Sequence, residues 1–466
     1  MGRRIIRARS IALSLLAAAY ASGLVGGCGE PSGTDGPDGA APPNIVLIVV
    51  DDLGWDDFGP ATAPDLRTPA LDALAAEGTR FTRAYSAAPV CSPARAAILT
   101  GRYPQRFGHE NNTGSIGRQH DDRIGLPLSE RTLPEALRAR GYATGMVGKW
   151  HLGVRQEFHP MKRGFDEFFG FLPGHHAYHH WNGKSHNPIL RGFDPAPGDE
   201  YLTDAFSREA VAFVDQHAGD PFFLLVAYSA VHSPLVADPA RLERMAHLPE
   251  GPRRNFAAVL TAVDDGIARL VDRLREHGID DRTLILFTSD NGAAPVGRSA
   301  ENTDRLRGEK GSLFEAGLRV PLIARWPGGS SGDVVTHPVS TLDLYATALA
   351  IVGDPAEIEQ VPELDGIDLA AQRRGDAGGR SALYWRIAAD FAVRATDGPH
   401  AWKLIGAAGR AATLYDLAAD PTESRDRAAE LPEQVARLQA AYDAWQAPLR
   451  EPRWEWLPGQ AGDRTD

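Results

Sequence analysis

"NIVLIVVDDLGWDDFG" occupies residues 44–59. Six aliphatic residues run together from Ile45 to Val50, with none of the polar alternation of a half-exposed strand. Such a run reads as a strand buried on both faces, and it ends on two acids, Asp51 and Asp52. Related runs follow at "YATGMVG" (142–148), "FFLLVAYS" (222–229), "TLILFTS" (283–289) and "VPLIARW" (320–326). Helical patterns lie between them, the clearest being the stripe Val259, Leu260, Val263, Ile267, Leu270, Val271 and Leu274. Strands alternating with helices predict an α/β sandwich around a large, mostly parallel sheet. Ligand sites in such folds gather beyond the carboxyl ends of the strands.

The texture changes near residue 375. "ALYWRI", "FAVRAT", "HAWKLIG" and "ATLYDL" are short strand-like segments, followed by the helical "PEQVARLQAAYDAW". They predict a small C-terminal antiparallel sheet with a helix. A chain of 466 residues also exceeds the usual single core. The expected organisation is therefore a catalytic domain at 44–374 and an α+β subdomain at 375–466. Hydrophobic residues at 43% and charged residues at 24% are ordinary for a soluble globular protein.

Residues 1–27 differ from the rest. Arg3, Arg4, Arg7 and Arg9 precede "IALSLLAAAYASGLVGG", too short and too rich in small residues for a membrane span. The segment reads as an export signal. Its end, "LVGGC", resembles a bacterial lipobox, which implies a lipid on Cys28 and a new N-terminus there. Half of residues 28–43 are Gly or Pro, as suits a flexible tether. The expectation is an exported bacterial lipoprotein outside the cytoplasm, in the periplasm or at the cell surface. Removing the four arginines takes the formal net charge from −12 to −16, which argues against nucleic acid as a partner.

Acidic residues stand where two strands end: Asp51-Asp52 after the first, and Asp290-Asn291 after "LILFTS". Three carboxylates and an amide form an all-oxygen set suited to Ca²⁺ or Mg²⁺. Cys91, the second of two cysteines, opens "CSPARAAILTG" (91–101). Pro93 suits a first helical turn, so Cys91 falls at a helix N-terminus, with Arg95 about one turn on. A buried structural cysteine and a thiolate nucleophile are both open readings of these residues.

"CSPAR" followed by "AAILTGRYPQRFG", with "GYATGMVGKWHLG" at 141–153, resembles the signatures of the formylglycine-dependent type I sulfatases, arylsulfatase-like members of the alkaline phosphatase superfamily. The resemblance continues through "FHPMKRGFDEFFGF", "VHSP", "FTSDNGA", "LRGEKGSLFEAGLRVPLIARWPG" and "LYDLAADPTE", over roughly residues 44–430. It implies that a formylglycine-generating enzyme oxidises Cys91 to formylglycine (3-oxoalanine), and that Asp51, Asp52, Asp290 and Asn291 hold one cation, usually Ca²⁺, with the modified Cys91. It further implies that Arg95 orients the aldehyde hydrate, Lys149 and Lys310 bind sulfate, His151 contacts the hydrate and His232 faces the leaving oxygen. A geminal diol can attack sulfur with one hydroxyl; deprotonating the other, by His151, expels sulfate and restores the aldehyde. The implied substrate is a sulfated small molecule or glycan. In an extended segment Lys149 and His151, two apart, face one side.

Other features carry less. "GHHAYHH" (174–180) offers His175/His179 and His176/His180 at i,i+4 spacing, but Gly and Pro before it and "WNG" after it read as a loop and pocket wall. Asp264-Asp265 read as structural or solvated, and Asp56-Asp57 as loop neighbours of the acid pair. Phosphonate and phosphodiester hydrolases tend to pair the late Asp with His, where this chain has Asn291. An inactive glycan-binding protein would not be expected to keep all of these side chains.

Overall fold

In β1 (Asn44–Val50) every residue is buried, and alternate side chains enter two different cores. Val46, Ile48 and Val50 join one core with helices Leu202–His217 and Pro252–Glu276. Ile45, Leu47 and Val49 join the other, with helices Cys91–Thr100 and Asp343–Ile351. Burial on both faces explains the unbroken aliphatic run, each such side chain being worth about 1.5–3 kcal/mol. The whole stripe predicted on the 252–276 helix lies in the first core. The structure, a computed structural model, describes residues 42–57, 59, 63–114, 120–179, 187–296, 306–329, 332–353, 364–376 and 380–455. Cys28, the signal and nearly all of the tether lie outside the described residues.

The strands after β1 are β2 (Thr79–Phe81), β3 (Ala84–Tyr85), β4 (Ala143–Lys149), β5 (Glu167–Phe171), β6 (Leu190–Arg191) and β7 (Asp194–Pro195). Then come β8 (Phe222–Ala227), β9 (Thr283–Ser289), β10 (Arg319–Val320), β11 (Leu322–Arg325), β12 (Asp333–Val335) and β13 (Val339–Ser340). Among the described residues the main sheet has the order β12–β2–β11–β9–β1–β8–β4–β5–β6–β7. Its centre, from β9 to β5, is parallel throughout. The flanks are mixed, since β11 runs antiparallel to β9 and β6 antiparallel to β5. The large, mostly parallel, helix-covered sheet is the fold expected from the sequence.

The C-terminal strands β14 (Ala382–Ile387), β15 (Asp390–Asp397), β16 (His400–Gly406) and β17 (Thr413–Asp416) form an antiparallel sheet in chain order. Helix Pro432–Gln446 covers one face, where Tyr442 stacks on Phe391 at 4.0 Å. The other face shares a core with Tyr85, Val90, Leu313 and Leu318 of the main body, and Trp385 Nε1 donates to the Ser86 carbonyl at 2.8 Å. Among the described residues no helix is long and apolar enough to cross a membrane.

Candidate active site

The carboxyl ends of β1, β4, β8 and β9 point to one place. Asp51 and Asp52 follow β1 directly, Lys149 ends β4, and Asp290 and Asn291 follow β9. His232 lies on the loop five residues beyond β8. Facing them is the N-terminus of helix Cys91–Thr100, all ten of whose residues are buried. Ala94, Ala96 and Ala97 keep it slim, and Gly101 ends it in the left-handed region at φ 65°, its N–H bonding Ala97 O. A Cβ on Gly101 would come within 2.8 Å of Tyr345.

Asp51, Asp52, Cys91 and Asp290 each offer a ligand atom, all within 4.8 Å of one another. Cys91 Sγ is 3.4 Å from Asp51 Oδ1 and 3.9 Å from Asp52 Oδ1. Asn291 Nδ2 donates to Asp52 Oδ1 at 2.8 Å, while its Oδ1 is buried with no hydrogen-bond partner among the described residues. A buried carbonyl oxygen left without a donor, beside three carboxylates, fits a hard cation. Backbone groups hold the acids in place: Asp290 Oδ1 accepts from Asn291 N at 2.9 Å and from Asp52 N at 3.3 Å. Asp52 itself sits at φ 66°, a left-handed conformation uncommon for a residue with a Cβ.

Three cations balance the three carboxylates. Lys149, wholly buried, places Nζ 2.6 Å from Asp51 Oδ2, and Lys310 Nζ is 2.6 Å from Asp52 Oδ1. Arg95 reaches Asp290 Oδ2 through both Nε and Nη2 at 2.8 Å, and its Nη1 donates to the Lys149 carbonyl at 2.9 Å. Burial would raise Asp290, but Arg95 and Lys149 outweigh it and hold the carboxyl below its usual range. Lys310 is raised because Asp52 outweighs the opposing effect of burial. Burial pushes the Cys91 thiol far up, with Lys149 and Lys310 opposing and Asp51 reinforcing, so the thiol is held protonated. That is the wrong state for a thiolate nucleophile.

The two histidines differ in their surroundings. His232 Nδ1 lies 2.7 Å from the Ser233 carbonyl, which fixes the proton on Nδ1 and leaves Nε2 facing the site, 3.7 Å from Asp52 Oδ2. His151 is buried, its Nδ1 has no hydrogen-bond partner among the described residues, and burial with Lys149, Arg95 and Lys310 nearby keeps it neutral. Its approach is not the extended one read from the spacing. β4 stops at Lys149, and His151 takes φ 60°, so a left-handed turn rather than strand alternation brings it beside Lys149. A Cβ on Gly174 would come within 2.7 Å of His151 Nε2, so a glycine is needed at the start of "GHHAYHH". That segment is a loop, as expected, with His175 exposed; His180 lies outside the described residues.

Sequence reasoning missed the groups that hold the helix opening on Cys91. Ser92 Oγ donates to the His151 carbonyl at 2.6 Å and meets His109 Nε2 at 2.7 Å, and Ser92 N donates to Asn112 Oδ1 at 3.0 Å. Trp454 Nε1 in turn donates to the Asn112 carbonyl at 3.1 Å. No local pattern marks contacts made across such separations. Asp264 is structural, accepting from Leu71 N and Ala70 N, and Asp265 pairs with Arg241 and Arg244. Asp57 pairs with Arg253 at 3.3 Å, outside the ligand group.

The Sulfatase family model matches residues 43–353. N-acetylgalactosamine-6-sulfatase of Mus musculus is 38% identical over 368 residues, covering 74% of this chain and 69% of that protein. Arylsulfatase A of Homo sapiens is 37% identical over 363 residues, covering 71% of this chain and 68% of its own. The crystal structure of Ps i-CgsB in complex with k-i-k-neocarrahexaose superposes with a TM-score of 0.81 at 34% identity, covering 89% of this chain and 94% of that one. With the motifs, the strand-end acids and these relatives in agreement, the chain belongs to the type I sulfatases of the alkaline phosphatase superfamily, enzymes that hydrolyse sulfate esters.

Proposed function

We propose that this sulfatase removes sulfate from a carbohydrate ester, using formylglycine made from Cys91 by a formylglycine-generating enzyme and one divalent cation, Ca²⁺ or Mg²⁺. The observation that carries the reading is the ligand group itself: four ligand atoms within 4.8 Å, Cys91 among them at a buried helix N-terminus. Asp51, Asp52, Asp290 and Asn291 would hold the cation, with the modified Cys91 beside it. The hydrated aldehyde supplies one hydroxyl to attack sulfur and a second whose deprotonation frees sulfate, while the cation supplies positive charge at the sulfuryl oxygens.

The side chains present divide the remaining work. Without a cation the three acids and three bases nearly cancel; with one, the site carries about two positive charges and suits an anionic sulfuryl group. Lys149 and Lys310 leave Asp51 and Asp52 to contact that group. Arg95, locked between Asp290 and the Lys149 carbonyl, orients the nucleophile. With Nδ1–H held by the Ser233 carbonyl, His232 acts as the imidazolium and gives its second proton, on Nε2, to the departing oxygen, while His151 Nδ1 is the neutral base for the second hydroxyl.

A carbohydrate ester is favoured over a simple aryl sulfate because the relatives include an N-acetylgalactosamine-6-sulfatase and a structure holding neocarrahexaose. Residues 44–374 are read as the catalytic domain and 375–466 as its C-terminal subdomain, exported behind a signal and tethered through a lipid on Cys28. The test is a desulfation panel of defined sulfated sugars and aryl sulfates, on protein whose Cys91 conversion is verified by peptide mass spectrometry. Selective turnover of one sugar sulfate, with Cys91→Ala inactive, is expected. Full activity with an unmodified thiol would sink the mechanism.

A further inference from the structure

"LYDLAADPTE" (414–423) ends in Glu423, wholly buried and at φ 54°. A left-handed conformation is unfavourable for a residue with a Cβ and persists where surrounding contacts over-determine it. Here they do. Glu423 Oε2 accepts from Glu315 N at 2.7 Å, Oε1 lies 2.8 Å from Lys403 Nζ, and its carbonyl accepts from Arg307 Nη1 at 2.7 Å. Lys403, on β16 and also fully buried, donates to Glu315 Oε1 at 3.0 Å as well. Tyr85 Oη takes up the other Glu315 oxygen at 3.0 Å.

The segment so gripped, 306–318, is the one that presents Lys310. Lys310 N donates to the Ala293 carbonyl at 2.7 Å, and Ala293 N returns a bond to Ala316 O at 3.0 Å. Gly292 N bonds Gly317 O at 3.1 Å, and a Cβ on Gly292 would meet Ala316 O at 2.0 Å, so the two loops touch backbone to backbone. Gly311 N bonds Pro89 O at 2.9 Å, two residues before Cys91. A shift at Glu315 therefore has no slack to absorb it before Asn291 and Lys310. Buried ion pairs are poor devices for stability alone, since apolar replacements often do as well.

We propose that Lys403, Glu315 and Glu423 are positioning residues: Lys403 on the C-terminal sheet and Glu423 on the loop after it hold Glu315, set the place of Lys310 against the Asn291 loop and so tune how tightly the site holds the sulfuryl group. This rests on the reading of Lys310 as a sulfate-binding cation. The experiment compares Lys403→Met, Glu423→Gln, Lys310→Ala and the exposed control Arg437→Ala on the Cys91-converted enzyme, reading KM, kcat, competitive inhibition by inorganic sulfate, and Tm. Lys403→Met and Glu423→Gln should each raise KM and the sulfate inhibition constant about tenfold while kcat changes far less, the lower range for a misplaced charge-assisted hydrogen bond. Glu423→Gln keeps an acceptor for Glu315 N and nearly the same volume, so it decides the matter if Lys403→Met does not fold. A lowered Tm with KM and sulfate inhibition unchanged would overturn the proposal, as would an equal effect from Arg437→Ala. If Lys310→Ala leaves sulfate inhibition unchanged, the reading of Lys310 itself fails; a Lys310→Ala effect with both triad variants normal overturns only the positioning.

Discussion

Replacing Arg95 by methionine removes a buried cation and leaves Asp290 without its closest partner. Arg95 is 5% exposed and Asp290 fully buried, with two contacts of 2.8 Å to one carboxylate oxygen. Breaking a buried pair by deleting one member costs about 3–5 kcal/mol, because an uncompensated charge remains. Methionine fills most of the volume, so little of that is cavity. In a unit of this size 1 kcal/mol moves Tm by roughly 1 °C, so chelated protein should melt about 3–5 °C lower. A bound cation should return most of the loss, since it neutralises Asp290 in place of the guanidinium. The bond to the Lys149 carbonyl at 2.9 Å is not returned, and is worth about 1 kcal/mol. Closing the thermodynamic cycle, a recovery of about 2 kcal/mol must appear as roughly 30-fold tighter Ca²⁺ binding by the variant. Thermal melts with chelator and with saturating Ca²⁺, beside a calcium titration, measure both sides. Equal Tm losses in the two conditions, or unchanged Ca²⁺ affinity, would show that Asp290 and the cation do not share a site.

Two further outcomes follow from other parts of the molecule. His232→Ala should slow an alkyl or sugar sulfate on the order of 10²-fold more than a nitrophenyl sulfate, because only the basic leaving group needs a proton in the transition state; His151→Ala should slow both towards one common rate, and equal sensitivity of the two substrates to His232→Ala would show the roles misassigned. Asp264 caps helix Pro69–Glu77 from a distant helix, and burial pushes its carboxyl up to about 6 despite the backbone bonds from Leu71 and Ala70. Its folded pKa lies above the unfolded one, so the folded state binds the extra proton and this group adds stability as pH falls from about 6 towards 4. Wild type should therefore gain about 1 kcal/mol over Asp264→Asn between about pH 7.5 and pH 5, and a pH-independent difference would refute it.

The site was legible in the sequence because its members stand at the ends of elements whose interiors are legible. β1 and β9 announce themselves by continuous aliphatic runs, and the residues that follow such runs must lie at the rim of the sheet, where Asp51, Asp52, Asp290 and Asn291 are found. Cys91 was placed by the same reasoning, Pro93 marking a first turn and Gly101 a last. The direction of β11 was not legible: "PLIAR" is as apolar as a parallel strand, and burial on both faces leaves the same signature whichever way the chain runs. Nor was the turn at His151, since nothing in "GKWHLG" says that the strand stops at Lys149 and that a non-glycine residue then takes φ 60°.

What stayed hidden has a common cause. Ser92 with His109 and Asn112, Asp264 at a helix start 193 residues away, and Lys403 between Glu315 and Glu423 are all polar contacts made inside the protein, between residues whose own segments give no reason for them. On local grounds Lys403 is a strand residue that ought to alternate outward, yet it is fully buried because its two carboxylate partners come from other parts of the chain. A buried charge is tolerable only after the fold has delivered its counter-charge, so it leaves no mark on local periodicity. Rim residues have the opposite property: the end of a strand places them at the edge of the sheet whatever the rest of the chain does. The clustered strand-end groups could thus be read from sequence, while the residues that hold them in place could be found only once the chain had closed around them.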